Sequence, residues 1–405
     1  MASFLWTERA NFGPVARRGA AMAYDSARGV TVMFGGNPGT GTFLGDTWEW
    51  DGKVWAQVSD MGPIARAYAG MAFAADEKAC VLFGGQPTSG GGLGDTWRWD
   101  GTAWTQILDS GPTARALHGM AYDSARARVV VFGGLSGSGL GDTWEFHGTA
   151  WTEQKATGPV ARSGMSMAFD DAGKRVVLFG GADGTGKPLG DTWTWDGQKW
   201  AQIAEFGPAA RYNAAMSGGE GSLVLIGGIV STSPKPSLAG DTWQLSGTLW
   251  TQLENIGPGP LSGAVSVLDS ARSVIVLFGG ETVAAGSETP AGAILGNTWE
   301  GPLPAPLTPP GTVAVQSITL QRQGGQQQFS LTFDLTGQVP ASGVIVTLTL
   351  LSQGQIVGAP EQVPIPAGLS TFTMPLTFPP GLTGIYVLSA QIAGTSAVTA
   401  QVGLP

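Results

Sequence analysis

The sequence predicts an all-β protein of two domains, and three observations support this prediction. Gly-Gly doublets recur at a nearly constant spacing through roughly the first 300 residues. The 405 residues include 64 glycines and 15 tryptophans but only 13% charged residues, a composition typical of short strands joined by tight turns. From Thr312 onward tryptophan and lysine are absent and apolar residues alternate with polar ones, which indicates strands of a second domain.

Composition and charge argue against several classes of protein. The formal net charge is −9 and the pI is about 4.7, which disfavours a basic face for nucleic acid. No apolar run approaches the ~18 residues that a membrane-spanning helix needs. The single cysteine, Cys80, precludes an intrachain disulfide framework, and with only two histidines, His118 and His147, we expect neither a metal site nor a cofactor.

Three short phrases repeat together through the first domain. Each unit opens with G-P-x-A-R, continues to an apolar run that ends in Gly-Gly, and then reaches G-D-T-W. The spacings between successive Gly-Gly doublets are 49, 49, 47, 47 and 52 residues. The doublets begin at Gly35, Gly84, Gly133, Gly180, Gly227 and Gly279. The sixth unit departs from the pattern in two phrases, because it reads G-N-T-W and lacks the arginine.

Each unit of about 50 residues holds four strand-like runs, which we name a to d in chain order. In the first unit they lie near Ala20–Tyr24, at Val30–Phe34, at Thr47–Trp50 and at Val54–Val58. Asp51-Gly52 separates runs c and d, and Asp-Gly is a favoured two-residue hairpin turn. Four antiparallel strands per unit in six units predict a six-bladed β-propeller.

The Gly-Gly doublets, the G-D-T-W phrases and the spaced tryptophans resemble the kelch repeat, in the form common in bacterial kelch-motif proteins. The resemblance covers residues 1–301. It implies a β-propeller and says little about function, because kelch propellers serve as enzymes, adhesins and adaptors alike.

The tryptophans predict how the propeller closes. Units one to five carry a tryptophan in run d, but the sixth ends soon after Trp299 without one. The N-terminal sequence Leu5-Trp6-Thr7 has the pattern of Leu249-Trp250-Thr251. We therefore expect residues 3–9 to supply strand d of the last blade and Trp6 to be structural. Because residue 6 is already structural, we also expect no secretory signal peptide.

Arginines of the G-P-x-A-R phrase and aspartates of the G-D-T-W phrase fall on the same rim of such a propeller. One interpretation is an anion site, because guanidinium groups suit carboxylate, sulfate or phosphate. The other is a salt bridge repeated within each blade, which the sixth unit favours because it loses both residues together, to Leu261 and Asn297. The predicted pairs are Arg17 with Asp46, Arg66 with Asp95, Arg115 with Asp142, Arg162 with Asp191, and Arg211 with Asp241.

The loops between Gly-Gly and G-[DN]-T-W have 8, 8, 6, 8, 11 and 15 residues, so the rim is asymmetric. The two longest, Ile229 to Ala239 and Glu281 to Leu295, are either tolerated insertions or a binding site, since long loops on a rigid scaffold often carry function. The candidate ligand-binding residues are Arg17, Arg18, Arg66, Arg115, Arg162, Arg211, Tyr212, Lys235 and Glu281.

Residues 302–311 contain five prolines and predict a semi-rigid linker. Residues 312–405 predict a β-sandwich of about seven strands that resembles immunoglobulin-like or fibronectin-type modules. The only charged residues of this domain are Arg322, Asp334 and Glu361. Such a surface is either solvated by neutral polar side chains or partly covered in an assembly.

Two functional hypotheses follow. The first is a non-enzymatic binding or structural module that recognises protein or glycan in a bacterial surface or extracellular assembly, with homo- or hetero-association through the sandwich. The second is a sugar-directed enzyme of the mutarotase or epimerase kind, or a lectin, at the channel mouth. We expect no catalytic residues, because Cys80 lies in an apolar strand and both histidines are substitutions within repeats. An extracellular location fits the domain pair, whereas the absence of a leader favours the cytoplasm.

Overall fold

The computed structural model describes residues 4–204, 207–231, 237–253, 255–282, 292–306, 315–322, 328–335, 344–352, 355–357, 361–366, 369–378, 384–392 and 398–404. The chain divides into two compact units, Met1–Pro306 and Leu307–Pro405. The described residues form strands, turns and loops, and none of them forms a helix long and apolar enough to cross a membrane.

The first unit contains thirty strands among its described residues. In chain order they are β1 (Phe4–Leu5), β2 (Thr7–Ala10), β3 (Ala21–Asp25), β4 (Val30–Gly36), β5 (Leu44–Trp50), β6 (Trp55–Ser59), β7 (Arg66–Ala67), β8 (Gly70–Ala74), β9 (Ala79–Phe83), β10 (Gln86–Pro87), β11 (Thr96–Trp99), β12 (Trp104–Leu108), β13 (Gly119–Asp123), β14 (Arg128–Ser136), β15 (Ser138–His147), β16 (Ala150–Gln154), β17 (Ser166–Asp170), β18 (Arg175–Phe179), β19 (Thr192–Trp195), β20 (Trp200–Ala204), β21 (Ala215–Gly219), β22 (Ser222–Ile226), β23 (Ile229–Ser231), β24 (Ser237–Leu238), β25 (Thr242–Ser246), β26 (Leu249–Leu253), β27 (Asn255–Ile256), β28 (Val265–Asp269), β29 (Val274–Phe278) and β30 (Thr298–Pro302).

Most of these strands belong to six four-stranded antiparallel sheets. Sheet 1 contains β3 to β6, sheet 2 contains β8, β9, β11 and β12, and sheet 3 contains β13 to β16. Sheet 4 contains β17 to β20, sheet 5 contains β21, β22, β25 and β26, and sheet 6 contains β28, β29, β30 and β2. The innermost strands contact one another in a closed cycle, from β3 through β8, β13, β17, β21 and β28 back to β3. The six sheets therefore surround a common channel.

The Gly-Gly doublets exist because neighbouring sheets approach closely there. Gly35 has a φ of +65°, and a Cβ atom on it would lie 2.5 Å from the carbonyl oxygen of Arg66 in the next unit. The first glycine of each doublet meets the next unit in the same way, up to Gly279, where the contact is the carbonyl oxygen of Arg17. A side chain at these positions would be strained by the positive φ and would separate the sheets.

The tryptophans of the outer strands join neighbouring sheets through hydrogen bonds. Each indole donates to the threonine of the G-[DN]-T-W phrase in the preceding sheet, at 2.8 to 3.4 Å. The pairs are Trp55 with Thr298, Trp104 with Thr47, Trp151 with Thr96, Trp200 with Thr143, Trp250 with Thr192, and Trp6 with Thr242. Burying both an apolar ring and its polar N–H requires such a partner, so the repeat specifies tryptophan and threonine together.

The N-terminal segment closes the ring of sheets. β2 pairs antiparallel with β30 of sheet 6, which confirms that the N-terminus supplies the outer strand of the last sheet. The strand begins at Thr7 and ends at Ala10, later than the expected range of residues 3–9. The preceding strand β1 instead pairs in parallel with β27, and Phe4 and Trp6 are buried in an apolar cluster with residues of sheets 5 and 6.

A ring of backbone hydrogen bonds surrounds one end of the channel. Each unit contributes one residue with positive φ just before its innermost strand, and its N–H donates to the carbonyl of the equivalent residue in the preceding unit at 2.7 to 3.0 Å. We call these six residues the annulus: Gly19, Tyr68, Leu117, Gly164, Asn213 and Gly263. The last bond, from Gly19 to Gly263, completes the circle.

The second unit is an all-strand domain with its own apolar core. Its described strands are β31 (Val315–Arg322), β32 (Gln328–Leu335), β33 (Val344–Ser352), β34 (Gln355–Ile356), β35 (Glu361–Ile365), β36 (Thr371–Thr377), β37 (Gly384–Ile392) and β38 (Val398–Leu404). β31, β32 and β36 form one sheet, and the other five form a second. Residues such as Phe333 from the first sheet and Leu388 from the second are buried in one cluster. The eight described strands exceed the predicted number of about seven.

Candidate functional site

The five arginines of the G-P-x-A-R phrase bind the aspartates of their own sheets. In the first unit Arg17 Nη1 donates to Asp46 Oδ1 at 2.6 Å and Nη2 donates to Oδ2 at 2.8 Å. Arg17 Nη1 also donates to the carbonyl of Gly35, and Nε donates to the carbonyl of Val15. The other four pairs repeat this geometry with Nη1 to Oδ1 distances of 2.6 Å, as the joint loss in the sixth unit predicts. They are Arg66 with Asp95, Arg115 with Asp142, Arg162 with Asp191, and Arg211 with Asp241.

These aspartates are held as carboxylates. Burial alone raises the pKa of Asp46, but the hydrogen bonds and charge of Arg17, together with the indole N–H of Trp48, outweigh it and leave the pKa below its usual value. The same balance lowers the pKa of the aspartates in sheets 2 to 5. Sheets 1 to 5 therefore each carry a charged, hydrogen-bonded pair rather than a neutral one.

Burial removes the five arginines from the channel mouth. Their side chains are at most 1% exposed, and four of the five N–H donors of each guanidinium are taken by protein acceptors. A solvent anion has no access to them in this arrangement. The structure therefore supports the salt bridges rather than the anion site considered for Arg17, Arg66, Arg115, Arg162 and Arg211.

The connections that lead into the inner strands and the loops that follow the Gly-Gly doublets lie together, and we call this end of the ring the loop-bearing rim. Backbone bridges join them, for example Arg18 to Asn37 and Tyr212 to Ile229. In sheets 2, 3 and 4 the bridging residue after the buried arginine is small: Ala67, Ala116 or Ser163. Sheets 1 and 5 have Arg18 and Tyr212 at this position, so the rim is asymmetric in its side chains as well as in its loops.

Arg18, Tyr212 and Glu281 come together on three consecutive sheets. Arg18 Nη1 donates to Glu281 Oε2, and Ser262 Oγ donates to Glu281 Oε1 at 3.3 Å. Burial and then the negative charge of Glu281 raise the pKa of Tyr212, which keeps its phenol protonated. The Arg18 side chain is 28% exposed, whereas that of Glu281 is 10% exposed. This cluster of sheets 5, 6 and 1 presents one cation, one phenol and one partly covered carboxylate at the rim.

The annulus adds side chains that the sequence patterns did not single out. A Cβ atom on Gly19 would lie 2.4 Å from the ring of Tyr68, and one on Gly164 would lie 2.4 Å from Asn213 Oδ1. The larger residue of each contact thus lies over a glycine of the neighbouring unit. The sequence could have revealed the annulus positions, since each lies two residues after the buried arginine, or after Leu261 in the sixth unit. The correspondence becomes visible only when the units are aligned on that residue.

The loop-bearing rim also exposes large apolar side chains. Val15, Ile64 and Val160 occupy the variable position of the G-P-x-A-R phrase and are 57%, 57% and 61% exposed. Phe12 and Met61, just before the phrase, are 67% and 75% exposed. Exposed apolar residues that recur on one face of a soluble domain mark an interaction surface more often than scattered ones do.

The remaining candidates contribute little chemistry. Lys235 and most of the loop that follows Glu281 lie outside the described residues. Cys80 is fully buried, and burial raises the pKa of its thiol. His118 is buried against Phe83, and His147 lies 3.7 Å from Asp76. Within the part of the chain that the structure describes, no cluster of three or more His, Cys, Asp or Glu side chains is placed to hold a metal ion.

Comparison with known proteins agrees with this architecture. Residues 101–280 match the family model described as the KLHDC2/KLHL20/DRC7 Kelch-repeats domain. No match to the chain is found among curated proteins. Kelch domains generally mediate protein interactions. The matched residues, with the four-stranded antiparallel sheets that contain them, identify a kelch-repeat β-propeller in this chain.

Proposed function

We propose that this chain is a non-enzymatic protein-binding module, built from a six-bladed kelch propeller and an immunoglobulin-like sandwich. Its partner binds at the loop-bearing rim. The observation that carries the proposal is the asymmetry of that rim: sheets 1 and 5 present Arg18 and Tyr212 where the other sheets present small residues, and Glu281 of sheet 6 accepts a hydrogen bond from Arg18.

The exposed apolar residues of the rim indicate the chemistry of the partner. Phe12, Val15, Met61 and Ile64 lead into sheets 1 and 2 and supply apolar area, while Arg18 and Tyr212 supply a cation and a hydroxyl on the same rim. Protein interfaces combine such an apolar centre with a few oriented polar groups. We therefore infer a partner with an apolar surface segment flanked by a hydrogen-bond acceptor or a carboxylate.

The experiment compares the two rims of the same sheet. A photo-crosslinking amino acid is introduced at Val15 on the loop-bearing rim or, as the matched control, at exposed Ala27 in the turn at the other end of sheet 1. After irradiation in an extract of the source cells, we expect a discrete protein adduct from Val15 that excess unmodified protein competes away. Equal adducts from both positions, or an adduct that does not respond to competition, would contradict the proposal.

Glycan recognition at the channel mouth is the alternative, and the burial of five arginines weakens it. A glycan array with the intact protein is expected to be blank. A sugar that binds the parent protein but not the Arg18→Ala variant would instead assign the rim to carbohydrate.

We also propose that the module works in an assembly at the cell surface, with the sandwich as a second contact. The support is its charge-poor sequence, in which Arg322, Asp334 and Glu361 are the only charged residues after Thr312. Light scattering of the intact protein should show concentration-dependent association, and a monomer at all concentrations would count against self-association through this domain.

A further inference from the structure

The channel widens at the end opposite the loop-bearing rim, where the turns between the first two strands of each sheet lie. A cavity of about 400 Å³ opens there, with walls formed by the innermost strands of all six sheets. Its volume falls within the ~300–1,000 Å³ of small-molecule sites. The rim cluster of Arg18, Tyr212 and Glu281 does not line this cavity.

Two layers of side chains form the wall; the first is interrupted on sheet 6, and the second is interrupted on sheets 5 and 6. The first layer is methionine in five sheets and serine in the sixth: Met22, Met71, Met120, Met167, Met216 and Ser266. The second layer is aromatic in four sheets but carries a glycine and a leucine in the last two: Tyr24, Phe73, Tyr122, Phe169, Gly218 and Leu268. The missing bulk of Ser266 and Gly218 makes the cavity lopsided.

The interruption adds buried hydroxyls to the wall, whose other hydroxyls belong to Tyr24, Tyr122 and the serines of the turns. Ser217 occupies the position that is alanine in the first four units and valine in the sixth, and it is 7% exposed. The hydroxyls of Ser217 and Ser266 are buried and have no hydrogen-bond partner among the described residues. A buried hydroxyl without a partner is costly, and both serines belong to the lining of the cavity. A ligand that forms a hydrogen bond with one of these hydroxyls therefore removes the cost of leaving it unpaired.

The charge of the wall limits the class of ligand. Asp171 is the only charged residue in the lining, and its carboxylate already accepts the backbone N–H groups of Glu220 and Gly221. The lining thus offers neither a cation for an anionic ligand nor a free carboxylate for a cationic one. Flexible methionines accommodate apolar groups of varied shape.

We propose that this end of the channel binds a small, uncharged, largely apolar molecule that carries one hydroxyl, held between the methionine layer and Ser266. This site goes beyond protein binding at the loop-bearing rim and lies at the other end of the channel. Failure of one proposal therefore leaves the other standing.

Benzyl alcohol and toluene are the probes, because they share an aromatic ring and differ in the hydroxyl. In isothermal titration calorimetry both should bind the intact protein, benzyl alcohol more tightly. Ser266→Ala keeps the space and removes the hydroxyl, so it should weaken the affinity for benzyl alcohol by about three- to tenfold and leave the affinity for toluene unchanged. Ser266→Met completes the methionine layer, so it should abolish binding of both probes while the melting temperature is maintained or raised.

Crystals soaked with 4-bromobenzyl alcohol provide a second readout that needs no variant. Anomalous bromine density beside sheets 5 and 6 is expected. The proposal is overturned if neither probe binds the parent protein, if Ser266→Met binds both as well as the parent does, or if bromine appears only elsewhere.

Discussion

At the scale of single residues, the repeated arginine–aspartate pair shows how buried charge is tolerated. Each guanidinium is desolvated, which is costly, but two bonds to a carboxylate and two to backbone carbonyls replace the lost water. The sixth sheet lacks both charges together, as we expect if either partner alone would leave a charge without its counter-charge. In that sheet Leu261 is buried at the position of the arginine, and the side-chain amide of Asn297 donates a hydrogen bond to Glu8.

We predict that removing one partner costs much more than removing both. Arg66→Leu leaves the Asp95 carboxylate without its cation and should lower the free energy of unfolding by about 3 kcal/mol or more. The double variant Arg66→Leu/Asp95→Asn copies the sixth sheet and should recover most of that loss. Denaturant unfolding of the two single variants, the double variant and the parent measures the coupling, and a double variant no more stable than Arg66→Leu would refute it.

The buried histidine should make stability depend on pH. Burial, followed by the positive charge of Arg115, lowers the pKa of His118 to about 3, whereas an unfolded histidine has a pKa of about 6.5. The unfolded chain therefore binds more protons between these values, and stability is fully present above pH 6.5 and falls as the pH drops. At pH 5 the contribution is about 2 kcal/mol less than at pH 8.

His118→Met tests this prediction, because Met165 occupies the equivalent position in sheet 4. The variant should lose the slope of stability between pH 8 and pH 5, as measured by urea unfolding at each pH. Parallel curves for variant and parent would show that His118 does not cause the slope.

The sequence predicts the arginine–aspartate pairing because the sixth unit lacks both the arginine and the aspartate that the other five units share. It does not predict the annulus, since Tyr68, Leu117 and Asn213 share neither size nor polarity with the three glycines at that position. What they share is a left-handed backbone held by the ring of hydrogen bonds. Tertiary contacts impose that conformation, and residue preference alone would not.

At the scale of elements, hydrogen bonds from tryptophan to threonine join neighbouring sheets, in addition to the backbone hydrogen bonds of the annulus. The bond from Trp200 Nε1 to Thr143 Oγ1 is 2.9 Å long and buried. Thr143→Val preserves the shape but leaves the indole N–H without an acceptor, so it should cost about 1–3 kcal/mol. Thr31→Val is the matched control, because Thr31 is fully buried and its hydroxyl has no partner among the described residues.

Thermal or denaturant unfolding should therefore show Thr143→Val destabilised and Thr31→Val unchanged or slightly more stable. Equal effects of the two substitutions would mean that the tryptophan–threonine bonds do not hold neighbouring sheets together.

The N-terminal strand is the element that completes the ring. Deleting residues 1–11 removes β2 and the buried Phe4 and Trp6, and it opens the edge of β30. We expect a large loss of thermal stability and self-association through the open edge, detected by light scattering. A monomeric truncated protein with the melting temperature of the parent would contradict this role.

Strand positions follow well from turn signals and periodicity, and their ends follow less well. In the first unit the predicted strand at Thr47–Trp50 begins earlier, at Leu44, because Leu44 pairs with Gly36 at the end of β4. The shift of the N-terminal strand has a similar cause, since the parallel pairing of Phe4 and Leu5 with β27 takes residues expected to join sheet 6. Such pairings depend on chain segments distant in sequence, so local patterns cannot show them.

At the scale of the whole molecule, a nearly regular ring carries two departures from regularity. The loop-bearing rim is altered at Arg18, Tyr212 and Glu281, and the opposite end of the channel is altered at Ser266 and Gly218. Both involve sheets 5 and 6. The regular parts of the repeat account for folding, whereas the departures are the places where function is to be sought.

The affinity of matched surface variants for the protein captured at the rim tests the central claim most directly. Val15→Ser/Ile64→Ser alters the loop-bearing rim, and Val54→Ser/Leu249→Ser removes side chains of similar exposure, 50% and 52%, at the opposite end of sheets 1 and 5. Binding through the loop-bearing rim predicts that the first pair weakens the affinity at least about tenfold and that the second leaves it unchanged. Equal affinities for both double variants, or a larger loss from the second, would contradict the proposal that this rim binds the partner.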